Sequence, residues 1–482
     1  MARNLSEAAA AAIAALHAAH ASRGAGSEAL AEIVSSSGLV DEDWYLRTYP
    51  DVAQNGMTAA RHYAVHGYRE GRVPSPELAD IVPQLQTAAP EAAGADQSLE
   101  KHLERLLSRL LLAVERQDTG CGELVRQGSY EALYDLPLYV HWSITRMCNY
   151  SCSYCSFRHG EDKHVDRKLL TPFAKLTTAV DNLAALNRPL YEVVLLGGEP
   201  TVDGRLPELL RYMETRLAGR LRNVTIVTNG SRDPAWFNQL ADMAGRVPIL
   251  ITVSIHTEQA QPEHIYSLIR ELDPGLNIDF VLMLHPEKLP LVSEIHAELC
   301  KLRAERPFEV NMQPIFAPPD FVRTDPRYPD DFFAWRNEMQ ARLLEASARF
   351  TPVSEKKSSA FRTFWEADDT GRSVICPGGD RSLMYQRGWL NYSGMHCVCG
   401  TNLARIDEEG WLFGAVCGYA ATQINMYEPD AIRDSSFMRM VTCPLPNCTC
   451  NDNDINMKFR DRTEAEQYLT IAKQKQERLL RR

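Results

Sequence analysis

Three cysteines stand within eight residues, Cys148, Cys152 and Cys155, in the segment TRMCNYSCSYCSF (145–157). The spacing C-x3-C-x2-C puts three thiolates on one short loop. Such a loop can hold three irons of a cubane and leave the fourth iron without a protein ligand. Clusters ligated by protein alone take four cysteines, so the open corner is free for an external ligand. The alternative is a zinc knuckle, which needs a fourth Cys or His nearby, with His159 as its candidate. A second group lies between 397 and 450: Cys397, Cys399 and Cys417 in CVCGTNLARIDEEGWLFGAVC, then Cys443, Cys448 and Cys450 in CPLPNCTC. A hairpin-like turn at 407–410 separates Cys399 from Cys417. Here the alternative is a zinc ribbon, although C-x-C and C-x4-C are not ribbon spacings. Cys376 reads as an inert thiol first, and as a spare ligand or hydrogen-atom donor otherwise. Cys121 and Cys300 read as structural. The chain has 12 cysteines and no convincing export signal, so ligation explains them better than disulfides.

Further chemistry collects where strand-like runs end. VVLLGGEPT (193–201) places Gly197 and Gly198 at such an end, where a backbone without Cβ permits close approach. Glu199 follows as an acceptor for an ammonium group. TNG (228–230) and SIH (254–256) end two further runs. His256, His285 and Gln313 are candidates for substrate contact, because chemistry in parallel barrels gathers at the C-terminal ends of the strands.

These residues need a frame. Strand-like runs at 138–144, 192–196, 223–228, 249–255, 277–284 and 308–313 alternate with helical segments such as 172–186, 206–221 and 263–272. Alternation of this kind implies a parallel sheet with right-handed crossovers. Six units are too few for a closed eight-stranded barrel, so the fold class is α/β with a partial (β/α)6 barrel. Thr252, Ser254 and His256 alternate with Ile251, Val253 and Ile255. Asn277, Asp279 and Met283 alternate with Ile278, Phe280 and Leu282. Glu309, Asn311 and Gln313 alternate with Val310 and Met312. The apolar sets face the helices, which turns the polar sets toward the barrel interior.

Around the barrel, residues 1–75 read as a helical N-terminal module and 76–97 as a proline-punctuated linker. The region 98–134 reads as an amphipathic helix capped by Ser98, with Leu99, Leu103, Leu106, Leu107, Leu110 and Val114 on one face. The barrel occupies 135–330, a cysteine-rich domain 331–455, and a C-terminal helix 456–482, in which Thr463 and Glu466 form a capping box.

The cysteine loop, with aromatic Tyr154 before its last cysteine, and the GGE turn one strand later resemble the radical S-adenosylmethionine (SAM) superfamily. The resemblance, over roughly residues 135–455, implies a [4Fe–4S] cluster on Cys148, Cys152 and Cys155 whose free iron binds SAM. It implies SAM contacts from Tyr154, Gly197, Gly198, Glu199, Asn229 and Ser254. The C-terminal cysteines resemble the SPASM/twitch extension of that superfamily, which implies at least one auxiliary Fe–S cluster. They depart from its full pattern: C-x2-C-x5-C is absent and no cysteine follows Cys450. A second cluster would need Cys376 or a ligand such as Asp452. The implied reaction is reductive cleavage of SAM to a 5′-deoxyadenosyl radical that takes a hydrogen from substrate, ending in oxidation or epimerisation. An electron donor such as flavodoxin or ferredoxin is implied as a partner.

Three functions follow. The segment 39–74, with its YPDV core and HY…HG…EGR tail, resembles a small helical module of polysaccharide-assembly proteins, which points to a carbohydrate substrate and to a module that engages partners. A maturase of ribosomally made peptides is the second reading, and a non-catalytic Fe–S or zinc scaffold in polysaccharide assembly the third. The GGE turn separates the enzymes from the scaffold, which has no need of a SAM pocket. The net charge of −11, without a basic block, argues against nucleic acid as substrate. No apolar run is long enough for a membrane span, and a cytoplasmic location is the expectation.

Overall fold

The computed structural model describes residues 27–79, 123–129, 137–155, 170–244, 246–316, 324–346, 363–369, 372–377, 392–444 and 455–481, with isolated positions of 8–15 and 82–106. Cys121, Cys448, Cys450, Ser98 and His159 lie outside them, and only the backbone of Cys376 lies within.

Strand β1 (Glu123–Ser129) precedes the barrel. β2 (Leu138–Thr145), β3 (Tyr191–Gly197), β4 (Leu221–Thr228), β5 (Ile249–His256), β6 (Asn277–Leu284) and β7 (Val310–Pro314) follow. These six pair in parallel and in sequence order. The helices Phe173–Ala185, Leu206–Arg216, Pro262–Glu271 and Leu289–Arg303 cross between them. The remaining strands are β8 (Thr363–Asp369), β9 (Arg372–Pro377), β10 (His396–Cys399), β11 (Leu403–Ile406), β12 (Trp411–Phe413), β13 (Ala421–Asn425), β14 (Arg439–Thr442) and β15 (Lys458–Phe459).

The expected alternation holds. Ile249, Ile251, Val253 and Ile255 of β5 are buried against Ile265, Leu268 and Ile269 of the following helix. Leu250, Thr252, Ser254 and His256 on the other face are only half-buried. The core is thus the layer between sheet and helices, and the opposite face of β5 and β6 mixes Thr252, Ser254, His256 and Asp279 with Leu250, Val281 and Met283.

The C-terminal region does not stand apart from the barrel. β11 pairs in parallel with β2, so the barrel sheet continues through β11, β12 and β13 to nine strands. Fully buried Arg188 donates to the carbonyls of Thr401 and Gly400. Asn182 donates to the carbonyls of Met426 and Glu428 and accepts from the Ala431 amide. A second sheet runs β14-β10-β15-β1-β8-β9. Its strand β1 falls in the region read as helical, because a single seven-residue strand next to a strong leucine stripe leaves no separate signal.

Of the stretch 76–97 read as a spacer, only 76–79 and Val82 lie among the described residues. Leu78 and Val82 are buried in one apolar cluster with Tyr45 and Tyr63 of the N-terminal module and with Leu99, Leu103 and Leu106. That cluster continues into Val398, Met457, Phe459, Ala465 and Tyr468. Tyr63 bonds His102 at 2.8 Å. The module is built onto the second sheet. The C-terminal helix runs Arg462–Leu480 and is capped by Asp461, which accepts from the Glu464 amide, not by Thr463. No helix among the described residues is long and apolar enough to cross a membrane.

Candidate functional site

The cysteine loop leaves the end of β2 and is held by three braces. The first is backbone. Gly198 N–H donates to Thr145 O at 2.8 Å and Glu199 N–H to Met147 O at 2.7 Å, extending the β2–β3 ladder into the loop. A Cβ at Gly198 would lie 2.3 Å from Met147 O, and one at Gly197 (φ +142°) 2.4 Å from Thr145 O. The close approach these glycines permit is to the cysteine loop itself.

Glu199 forms the second brace. It is 1% exposed, and its carboxylate accepts from Thr201 N–H and Oγ1–H, from Thr228 Oγ1–H, and from Asn229 N–H. Burial pushes its pKa up, and these donors oppose the shift. Through these four donors the carboxylate joins the ends of β3 and β4. Asn229 then donates to Asn149 Oδ1 at 2.8 Å, inside the cysteine loop.

The third brace comes from beyond β5. Glu258 accepts from Ser153 N–H at 2.8 Å and Ser153 Oγ–H at 2.7 Å, between Cys152 and Cys155. It also pairs with buried His285 at 3.2 Å. Tyr154 Oη bonds His256 Nδ1 at 2.9 Å, and their rings stack. Burial pushes His256 down to about 4, so this imidazole is neutral near pH 7. Cys152 is pushed up to about 12 by burial, with Glu258, Cys148 and Cys155 adding. Its thiol therefore holds its proton until a metal displaces it.

Of the residues expected at the core site, the structure brings Cys148, Cys152, Cys155, Tyr154, Gly197, Gly198, Glu199 and Asn229 to one end of the sheet. Ser254 sits half-buried on the interior face of β5, two residues before His256. Gln313 lies on β7. Glu258 and Asn149 were missed; Glu258 stands only two residues past SIH, a strand-end position that marks it in retrospect.

The second cysteine group also converges in part. Cys397 and Cys399 of β10, Cys417 and Cys443 line one small apolar pocket with Ala415, Tyr419 and Lys458. The Sγ atoms of Cys397 and Cys399 are 3.6 Å apart. The hydrogen bond from Cys399 lowers Cys397 to about 7 against the opposing effect of burial, with Lys458 assisting, and it raises Cys399. Among the described residues no three His, Cys, Asp or Glu groups converge on a single-ion site. A cubane takes its thiolates on separate irons, so it asks for no such convergence. Three thiols on a loop with an open side, and four thiols around a pocket, both suit iron–sulfur ligation.

Residues 142–296 match the model of the Radical SAM superfamily, from β2 through the cysteine loop and GGE turn into the helix Leu289–Arg303. This part of the chain is a radical SAM domain, whose family uses a [4Fe–4S] cluster and SAM. A probable GTP 3′,8-cyclase of Methanococcus aeolicus is 29% identical over 142 residues, 29% of this chain and 42% of the relative. The GTP 3′,8-cyclase of Paracoccus denitrificans is 28% identical over 25% of this chain and 33% of its own length. This chain thus spans less than half of either relative. The GTP 3′,8-cyclase of Alkaliphilus oremlandii is 25% identical over 61% of this chain and 85% of its own length. Among solved structures, Streptococcus suis SuiB bound to precursor peptide SuiA superposes with a TM-score of 0.38 at 14% identity, over 84% of this chain and 80% of SuiB. At that level the likeness carries no argument about substrate.

Proposed function

We propose that this protein is a radical SAM enzyme that abstracts hydrogen from an uncharged, hydroxyl-rich substrate, of which a carbohydrate is the best fit, leading to oxidation or epimerisation. When bound, the core cluster and SAM supply the 5′-deoxyadenosyl radical. The chain's own part is to hold Cys148, Cys152 and Cys155 with the fourth corner open, and to orient what enters the barrel. Gly197, Gly198, Glu199 and Asn229 fix the loop. Tyr154, Ser254 and His256 flank the space beside it. The C-terminal pocket, through Cys397, Cys399, Cys417 and Cys443, holds an auxiliary cluster, which leaves Cys448 and Cys450 as ligand candidates for a second.

The observation that carries the substrate class is the composition of the barrel interior. Its face on β5, β6 and β7 offers Thr252, Ser254, His256, Asn277, Asp279, Asn311 and Gln313 beside Leu250, Val281 and Met283, with no lysine or arginine, and Arg222 of β4 is paired with Glu192 of β3. Donors and acceptors without cations suit hydroxyl groups. They suit the triphosphate of GTP poorly, since phosphate recognition calls on Arg and Lys, so cyclisation of GTP is not the preferred reading. The likeness of 39–74 to a polysaccharide-assembly module also supports a carbohydrate, although its packing onto the second sheet removes the expectation of a separable partner-binding unit. An external electron donor is required, as for a flavodoxin or ferredoxin.

The test is release of 5′-deoxyadenosine from SAM by anaerobically reconstituted, reduced protein. Cys152→Ala should abolish release, because a two-thiolate loop no longer holds the cubane. Wild-type release by that variant would refute the assignment.

A further inference from the structure

Lys458 stands in an unusual place for a lysine. It is 2% exposed and lies on β15, directly opposite Cys397 of β10 in antiparallel register. Directly opposed residues of paired strands share a face, so its side chain enters the pocket lined by Cys397, Cys399, Cys417 and Cys443. Its Nζ donates to Asn456 O at 3.3 Å and sits 5.0 Å from the centroid of the Tyr392 ring. A buried ammonium is costly unless an opposite charge faces it, and the pocket that this side chain lines also holds four cysteine thiols.

We propose that the Lys458 ammonium is the charge partner of the C-terminal metal centre, offsetting the excess negative charge of its thiolates and setting its reduction potential. The inference rests on the reading that this pocket holds an iron–sulfur cluster. Four thiolates outnumber the positive charge of a cubane core, so the assembled centre is an anion. A fixed cation beside it stabilises the reduced form more than the oxidised form, because the reduced form carries one more negative charge. Charge near the sulfurs is one of the protein's means of setting a cluster's potential. Lys458 is therefore a positioning and tuning residue, not a ligand.

The experiment uses the full chain with Cys148, Cys152 and Cys155 all changed to Ala, so that only the C-terminal centre remains. Iron and sulfide are counted, and the midpoint potential is followed by EPR-monitored redox titration. Lys458→Met should move the midpoint to more negative potential by at least a tenfold change in the reduction equilibrium, 59 mV for one electron. Lys458→Arg should stay within that margin. Loss of iron from Lys458→Met with retention in Lys458→Arg supports the same conclusion, because charge is what the pair separates. An unchanged midpoint in a fully loaded Lys458→Met variant overturns it. So does loss of iron or of folding in both variants, which would make the side chain a packing element. Zinc without sulfide in the parent protein would instead sink the cluster reading beneath it.

Discussion

At the barrel mouth three thiols ride on a loop gripped from outside, by the backbone of Gly198 and Glu199 and by the side chains of Asn229 and Glu258. At the C-terminal pocket four thiols project from β10 and its neighbouring turns into an apolar enclosure with a lysine in its wall. The first design spends its protein contacts on holding the loop and, on the proposed reading, leaves one iron position open for an external ligand. On the proposed reading the second closes around a cluster with protein thiolates, as suits a centre that takes up or passes on an electron. Zinc sites show a related contrast, open where they do chemistry and closed where they are structural.

The largest separate effect on the open site should come from Gly198→Ala. The new methyl would collide with Met147 O, a backbone atom that moves only if the whole loop moves. Release of 5′-deoxyadenosine should fall by at least two orders of magnitude and about four irons per chain should be lost, while the C-terminal centre stays loaded. Near-normal cleavage would mean that the loop tolerates displacement and the backbone brace is dispensable.

A smaller effect, on the closed site, should follow from shortening the chain to begin at Asp96. That change strips Tyr45, Tyr63 and Leu78 from the cluster containing Val398, Met457 and Phe459, and these three flank the strands that carry Cys397 and Lys458. Thermal stability should drop, by several kcal/mol if even two large core side chains lose their packing. C-terminal iron should fall with it, and SAM cleavage by the core site should fall less. An unchanged melting temperature would restore the idea of a separable module.

The sequence showed the open site far better than the closed one. Cys148, Cys152 and Cys155 are local in the chain, and the six parallel strands announce themselves by apolar alternation, so barrel, loop and GGE turn were legible together. The bracing role of Glu199 was not legible, because its four donors come from turns whose shape is set by tertiary structure. The addition of β11 to the barrel sheet and the pairing of Lys458 with Cys397 join positions far apart in the chain. No local pattern encodes such pairings, and a lone lysine in LysPhe looks like any surface residue. The packing of Leu78, Val82, Leu99, Leu103 and Leu106 in one cluster with Met457, Phe459 and Tyr468 was hidden for the same reason.

The account's central claim is that one centre is open to SAM and the other is closed. It is tested most directly by EPR of the reduced protein with and without SAM, for the wild type, the triple Cys148/Cys152/Cys155→Ala variant and the double Cys397/Cys399→Ala variant. The account predicts two overlapping [4Fe–4S] signals in the wild type, of which SAM changes only the one lost from the triple variant. The double variant should keep a fully SAM-responsive signal, and the triple variant a signal that SAM leaves untouched. A signal in the triple variant that shifts with SAM, or a double variant that no longer responds, would contradict it.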